Sequence, residues 1–199
     1  MADTLHRSPV LRHREDAFAR LPEGLEIVAE PDVALADLRV PEGAVASATG
    51  VVGVALPLEP NTWVARPGGQ VVWLGPDEWL VSDADERPEA LEAALRAAVA
   101  PHDGAAVDVS AQRTAVRLRG RHARALLATG CALDLHPSVF GAGRSAQTTL
   151  GLVGVVLLAL DDRGEDYRIL VRPSFAGYLA DWLLDAAVEF EPPGPAAAL

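Results

Sequence analysis

The sequence predicts an α+β fold in two small subdomains, with helices packed on mostly antiparallel sheets. Three observations predict it. Thr114 to Arg119, TAVRLR, alternates apolar and polar residues at the two-residue period of a half-buried strand. Leu152 to Leu160 and Tyr167 to Arg172 flank the turn Asp161-Asp162-Arg163-Gly164, which reads as a hairpin. Pro88 to Ala100 carries Leu91, Leu95 and Val99 at four-residue spacing, the stripe of an amphipathic helix. Sequence-adjacent strands that pair, with helices laid over them, make the α+β pattern.

The elements follow in order. Residues 1–12 read as a flexible arm, and a short helix runs from there to Arg20, so that 1–20 precede the first subdomain. Ala34 to Val40 reads as the first strand. Residues 41–62 mix Pro, Gly and small apolar side chains, which suggests a long connection with room for one short strand. Gln70 to Leu74 and Trp79 to Ser82 are β-rich runs around the turn Gly75-Pro76-Asp77-Glu78, where proline presets φ at the second position. Pro88 suits the start of its helix because its missing N–H has no partner to lose there. Pro101 and Gly104 end that helix, and a boundary here divides subdomain 21–103 from subdomain 104–190.

The second half opens with strands at Ala106 to Val109 and Thr114 to Arg119; Val116 and Leu118 share one face, Arg117 and Arg119 the other. Gly120 to Thr129 reads as a helix with Gly130 at C′. Residues 131–145 form a loop with a helical turn near Asp134, and a further strand lies near Gln147 to Leu150. Ser174 is placed as the N-cap of a last helix reaching about Val188. Its apolar face is Phe175, Leu179, Trp182, Leu183 and Ala186. Glu191 to Leu199, EPPGPAAAL, reads as a disordered tail.

Composition bounds the function. The chain has 199 residues, half of them hydrophobic, enough for a well-buried core. Its net charge is −11, and every cation is Arg or His, since no Lys occurs. Such a chain repels phosphate backbones and anionic lipid, so neither nucleic acid nor membrane is an expected partner. The longest apolar run, Leu150 to Leu160, has 11 residues, whereas a membrane span needs roughly 20. The N-terminus lacks the apolar core of a secretory signal, and the lone Cys131 allows no internal disulfide; both fit a cytoplasmic protein.

Candidate chemistry is sparse. Asp77 and Glu78 are adjacent, and neighbours in extended chain point to opposite faces, so they read as a turn rather than an acid/base pair. The five histidines are scattered, and Cys131 with His136 gives two ligands where a zinc site needs four. Cys131 follows Gly130 and reads as a small buried side chain rather than a nucleophile. Gly50, Gly53, Gly141 and Gly143 make no dinucleotide fingerprint, and no phosphate loop is present. Asp108 and Ser110 flank a strand end ahead of Gln112-Arg113, a polar cluster that either binds a ligand or finishes a strand. Arg117 and Arg119 on one strand face form a candidate docking stripe, because guanidinium pairs bidentately with carboxylate, or else a face with internal ion pairs. Of four tryptophans most belong to the core, with one or two at an interface. Trp79, Asp108, Arg113, Arg117 and Arg119 are therefore the candidate interface or ligand contacts. No catalytic or metal-ligating residue is assigned.

Several phrases carry a resemblance. RSP at Arg7 to Pro9, VVWLGPDEWLV at Val71 to Val81, VDVSAQRTAVRLRG at Val107 to Gly120 and GCALDLHPSVF at Gly130 to Phe140 resemble the gamma subunit of heterotetrameric sarcosine oxidase. AQTTLG at Ala146 to Gly151 and YRILVRPSFAGYLADWLLDA at Tyr167 to Ala186 match the same family in the same order. The resemblance implies a fold akin to the folate-binding aminomethyltransferase, the T-protein of glycine cleavage. It implies partners, the alpha, beta and delta subunits of a complex that demethylates sarcosine to glycine, with hydrogen peroxide and methylenetetrahydrofolate as products. It places FAD, FMN, NAD, zinc and tetrahydrofolate on the other subunits, none on this chain, and leaves the gamma subunit without catalytic groups. A subunit of this kind is expected to show a contiguous apolar patch larger than the few hundred Å² usual on monomers. The competing readings are a stand-alone folate-binding one-carbon transferase, whose pocket would use Trp79 as aromatic wall and Asp108 as carboxylate, and a small-molecule-binding regulatory module.

Overall fold

The computed structural model of the chain describes residues 9–192, so the first part of the predicted arm and tail residues 193–199 lie outside the described residues. Arg12–Arg14 forms a 3-10 turn that runs into the short helix α1 (Glu15–Phe18). Then come β1 (Glu26–Ala29), β2 (Ala34–Arg39), α2 (Val45–Val52), β3 (Trp63–Arg66), β4 (Gly69–Gly75), β5 (Glu78–Asp83) and α3 (Pro88–Val99). The second half holds β6 (Ala105–Asp108), β7 (Thr114–Arg119), α4 (Ala123–Ala128), β8 (Ser145–Leu150), β9 (Val153–Ala159), β10 (Asp166–Val171) and α5 (Pro173–Ala187).

The strands make two five-stranded sheets, ordered β1-β7-β10-β9-β8 and β3-β4-β5-β2-β6. Every neighbouring pair is antiparallel, which is the α+β architecture the periodicities predict. Two strands cross between halves of the sequence. The early β1 edges the first sheet beside β7, and β6, beyond residue 103, edges the second sheet beside β2.

Three apolar clusters fill the spaces between four layers. One face of the β7-containing sheet buries Val116, Leu118, Val155, Leu157, Ile169 and Val171 against α4 and α5. One face of the β5-containing sheet buries Ala36, Leu38, Val71, Trp79 and Val81 against α2 and α3. The remaining two faces meet each other through Val156, Leu158 and Leu170 on one side and Leu35, Val72 and Leu80 on the other. Alternation along each strand makes this possible, because successive side chains serve opposite layers. In α3, Leu91, Leu95 and Val99 are buried as the four-residue spacing predicts, each stabilising by about 1.5–3 kcal/mol. The Trp63 indole N–H donates to the Ala159 carbonyl at 3.0 Å and stitches the two sheets together.

Several expectations need correction. β1 was not predicted; its four residues carry an exposed Glu26 and a Val28 that is 39% exposed, too short and too wet to alternate visibly. The connection 41–62 contains a helix, α2, where one short strand was expected. Its sequence, VASATGVV, favours a helix poorly in isolation. Tertiary burial of Ala48 and Val52 decides the matter, and Gly53 closes the helix in the left-handed region at φ 80°. Gly130 does follow the C-cap of α4, but its φ is not positive. Glycine is required there because a Cβ would stand 2.4 Å from the Trp182 ring. Ser174 is not the N-cap of α5: Arg172 is, with Pro173 in the first turn, where its fixed φ suits the helix. The buried face of α5 is Ala176, Leu179, Ala180, Leu183 and Ala187, rotated from the predicted one, which leaves Phe175 exposed.

Candidate functional site

The inter-sheet layer is apolar at its centre and polar where it opens. A cavity of about 250 Å³ lies there, bounded by Leu35, Gln70, Ser82, Arg113, Arg168 and Leu170, with Glu30 and Asp32 at its rim. Arg168 is committed inside it. Its guanidinium donates to both carboxylate oxygens of Glu30, one bond at 2.7 Å, and to the Gln70 side-chain oxygen. An arrangement of this kind, bidentate to Glu30 with a third bond to Gln70, fixes the arginine as part of the wall.

Arg113 stands at the opposite end. It lines the 250 Å³ cavity and also a more open cleft of about 490 Å³, whose other walls include Gln147, Thr149, Gly154, Arg172 and Phe175. In the ladder between β7 and β10, Ala115 faces Leu170 and Thr114 faces Val171. Carrying that register one place further sets Arg113 opposite Arg172. Both fall on the inter-sheet face, since the period-two alternation puts them with Ala115 and Leu170. Neither arginine has an ion pair or a side-chain hydrogen bond among the described residues. Burial and the positive charge of Arg172 both lower the Arg113 pKa, against a smaller opposing pull from Asp37.

The remaining candidates are placed as follows. Arg117 donates twice to Asp166, at 2.8 and 2.7 Å, and Arg119 stands 3.7 Å from both Asp166 and Glu26. Burial alone would raise the Asp166 pKa, but the Arg117 hydrogen bond and the surrounding arginines outweigh it and hold the carboxyl below its usual range. Asp108 caps its own strand end by accepting from the Ser110 backbone N–H at 2.8 Å and the Ser110 hydroxyl at 2.6 Å. Trp79 is fully buried on the helix side of its sheet, with its indole N–H donated to the Pro57 carbonyl at 2.7 Å. The structure thus brings Arg117 and Arg119 together around one carboxylate, sets Arg113 beside the cleft, and leaves Trp79 within the core. Asp77 and Glu78 share Arg39 as their ion-pair partner. Cys131 is buried. Among the described residues, no three His, Cys, Asp or Glu side chains converge as a metal site would require. Also among them, no helix is long and apolar enough to cross a membrane.

Sequence reading missed Arg172, Arg168 and Glu30. The signal for Arg172 lies in register: it follows the strand that pairs with the one Arg113 precedes. An exposed apolar group adjoins it. Leu152 is 86% exposed, Phe175 47% and Tyr178 39%. Tyr178 holds the β8–β9 turn by accepting from the Leu152 N–H at 3.2 Å, and Phe175 precedes it by one turn of the helix.

Comparison with known proteins gives a consistent result. The family described as sarcosine oxidase, gamma subunit family, matches residues 36–189. The sarcosine oxidase subunit gamma of Corynebacterium sp. (strain U-96) is 34% identical over 200 residues, covering 94% of this chain and 96% of that one. The subunit of the same name from Corynebacterium sp. (strain P-1) is 37% identical over 149 residues, covering 74% of this chain and 71% of its own length. A chain in the solved structure of heterotetrameric sarcosine oxidase from Corynebacterium sp. U-96, in complex with pyrrole 2-carboxylate, superposes with a TM-score of 0.86 at 31% identity. The match covers 96% of this chain and 99% of that one. The glycine cleavage system aminomethyltransferase T of Bartonella henselae shares the fold at a TM-score of 0.61 and 16% identity, over 85% of this chain and 48% of that one.

Proposed function

We infer a subunit role for this chain because it belongs to the sarcosine oxidase gamma subunit family. It is a component of a heterotetrameric oxidoreductase and works through its association with other subunits. The observation that carries this reading is the near-complete structural match to one chain of a sarcosine oxidase heterotetramer, with both chains covered almost end to end.

The finer assignment follows from the same reading. The complex demethylates sarcosine oxidatively to glycine, releasing hydrogen peroxide and passing the one-carbon unit to tetrahydrofolate. Alpha, beta and delta subunits are the partners, and they carry FAD, FMN, NAD, zinc and tetrahydrofolate. This chain is non-catalytic and cytoplasmic, and it supports assembly. What supports that division of labour among the described residues is that Cys131 is buried and that Asp166 and Glu30 are already engaged by arginine.

Co-expression of the tagged chain with candidate alpha, beta and delta subunits tests the reading, with pull-down followed by a sarcosine-dependent peroxide assay. A stoichiometric yellow complex that loses activity or integrity without this chain is the expected result. Full activity of the remaining subunits, with this chain recovered alone, would sink it.

A further inference from the structure

Seventeen arginines face 28 carboxylates in this chain. Arg14, Arg39, Arg66, Arg96, Arg117, Arg119, Arg121, Arg144, Arg163 and Arg168 all lie within ion-pair distance of one. Arg113 and Arg172 do not, nor do Arg12, Arg20, Arg87 and Arg124; what sets the two apart is that they flank the paired strands β7 and β10 at directly opposed positions. Like charges placed so destabilise a sheet. Folding alone gives no reason to keep them there.

Their surroundings supply one. Both guanidiniums line the open end of the inter-sheet cleft, beside Gln147 and Thr149. Phe175 rises next to them, and Tyr178, one helical turn on, continues its exposed apolar surface towards Leu152. A cationic centre flanked by exposed aromatic and aliphatic side chains has the composition of an interface hot spot, in which Arg and Tyr are enriched. The remainder of the chain is strongly acidic, so this place complements an acidic group that the rest of the surface would repel. An open cleft with an exposed ring on its wall suits a segment of another protein chain better than a small enclosed ligand.

We propose that Arg113 and Arg172, with Phe175 beside them and Tyr178 and Leu152 continuing its exposed face, form the docking site for a carboxylate-bearing segment of a partner subunit. The carboxylate sits between the two guanidiniums, relieves their repulsion and takes charge-assisted hydrogen bonds from both. The apolar side chains cover the aliphatic part of the same segment. This inference rests on the subunit reading above.

The test measures affinity between the full tagged chain and its partner subunits, for wild type, R172E, R172K, R113Q/R172Q and the control R87Q. Arg87 caps α3 in the opposite helix layer and is exposed. R172E and R113Q/R172Q should lose about 10- to 100-fold in affinity, the range for losing charge-assisted hydrogen bonds. R172K should fall between them and wild type, and R87Q should match wild type. The melting temperature of the free R113Q/R172Q chain should be unchanged or higher, because a repulsive pair has been removed. Wild-type affinity in R113Q/R172Q would overturn the proposal while leaving the subunit reading intact. An affinity loss accompanied by a lower melting temperature would reduce the pair to a structural role and overturn it too. Saturable stabilisation of the free chain by acetate, with assembly unaffected by the substitutions, would assign the pair to a free carboxylate instead. No association of the wild-type chain with any candidate subunit would remove the subunit reading itself.

Discussion

Replacing Arg66 by Met should be among the most damaging single changes at the helix side of the β5-containing sheet. Arg66 is 9% exposed and its partner Asp83 is 7% exposed. The guanidinium donates to Asp83 Oδ2 at 2.6 Å, to the Ser82 carbonyl at 2.9 Å and, through Nε, to the Val52 carbonyl at 2.7 Å. The last of these satisfies a carbonyl in the final turn of α2, which otherwise has no helical partner. Methionine fills much of the volume, so the loss is electrostatic. Breaking a buried ion pair from one side leaves an uncompensated charge and costs about 3–5 kcal/mol. A double substitution separates this from the lost hydrogen bonds. Asp83 Oδ1 accepts from the Asp85 and Glu86 N–H groups at 2.9 and 3.1 Å, and an Asn there keeps that oxygen. R66M/D83N should therefore sit only about 1–2 kcal/mol below wild type, the value of the orphaned carbonyl contacts. Urea denaturation at pH 7 and pH 4.5 measures all three proteins. The R66M deficit should shrink at the lower pH, because losing Arg66 removes the strongest group holding the Asp83 pKa down and leaves burial opposed only by the Asp85 and Glu86 N–H bonds. A deficit below about 1 kcal/mol at pH 7, or equal deficits in R66M and R66M/D83N, would refute the reasoning.

Other outcomes follow from single sites. Tyr167 is fully buried, its hydroxyl has no hydrogen-bond partner among the described residues, and burial pushes its pKa up to about 12. Folding thus favours the neutral phenol: the contribution is whole below the unfolded value near 10 and is lost as pH rises towards 12, roughly 3 kcal/mol in all. Tyr167→Phe should be neutral or stabilising at pH 7 and should flatten that alkaline fall, read by denaturant titration; a large loss at pH 7 would show an unseen partner. Gly120 has φ 114° and its Cα faces the Gly24 carbonyl, where a Cβ would stand 2.1 Å from the oxygen. Gly120→Ala should cost upwards of about 2 kcal/mol by strain and clash together, measurable as a lowered melting temperature. Asp83 and Asp166 have lowered pKa values, so their stabilisation is present above the unfolded value near 3.9 and disappears as pH falls through the lower folded ones. The stability of D166N should depend less on pH below about 4 than that of wild type.

The fold was legible wherever one face of an element is dry and the other wet. TAVRLR alternates because Val116 and Leu118 enter the helix-side core while Arg117 and Arg119 meet acids on the other face. α3 shows its stripe because one side lies on a sheet and the other in water. Legibility failed where burial came from distant partners. VASATGVV folds as a helix only because the sheet beneath it accepts Ala48 and Val52 and because Arg66, from a later strand, takes its last carbonyl. β1 is a strand because β7 offers it an edge, a fact that no four-residue window contains.

The site shows the same division more sharply. Five arginines sit on or beside the paired strands β7 and β10: 113, 117, 119, 168 and 172. Composition treats them alike, as cations in an acidic chain. Pairing separates them. Arg117, Arg119 and Arg168 meet Asp166, Glu26 and Glu30 across strands, so the stripe that looked basic on one strand is neutralised by its neighbours. Arg113 meets Arg172 because β7 and β10 run antiparallel in the register that puts Thr114 against Val171. A shift of one residue would turn one of the pair to the other face of the sheet and dissolve the cationic centre. The functional content of these residues is therefore a property of registry: identical side chains become wall, ion pair or open receptor according to what the neighbouring strand delivers. Because the fold neutralises three of these arginines and leaves two opposed, the energetic incentive for an acidic partner is concentrated at the end of the cleft, where another chain can reach it.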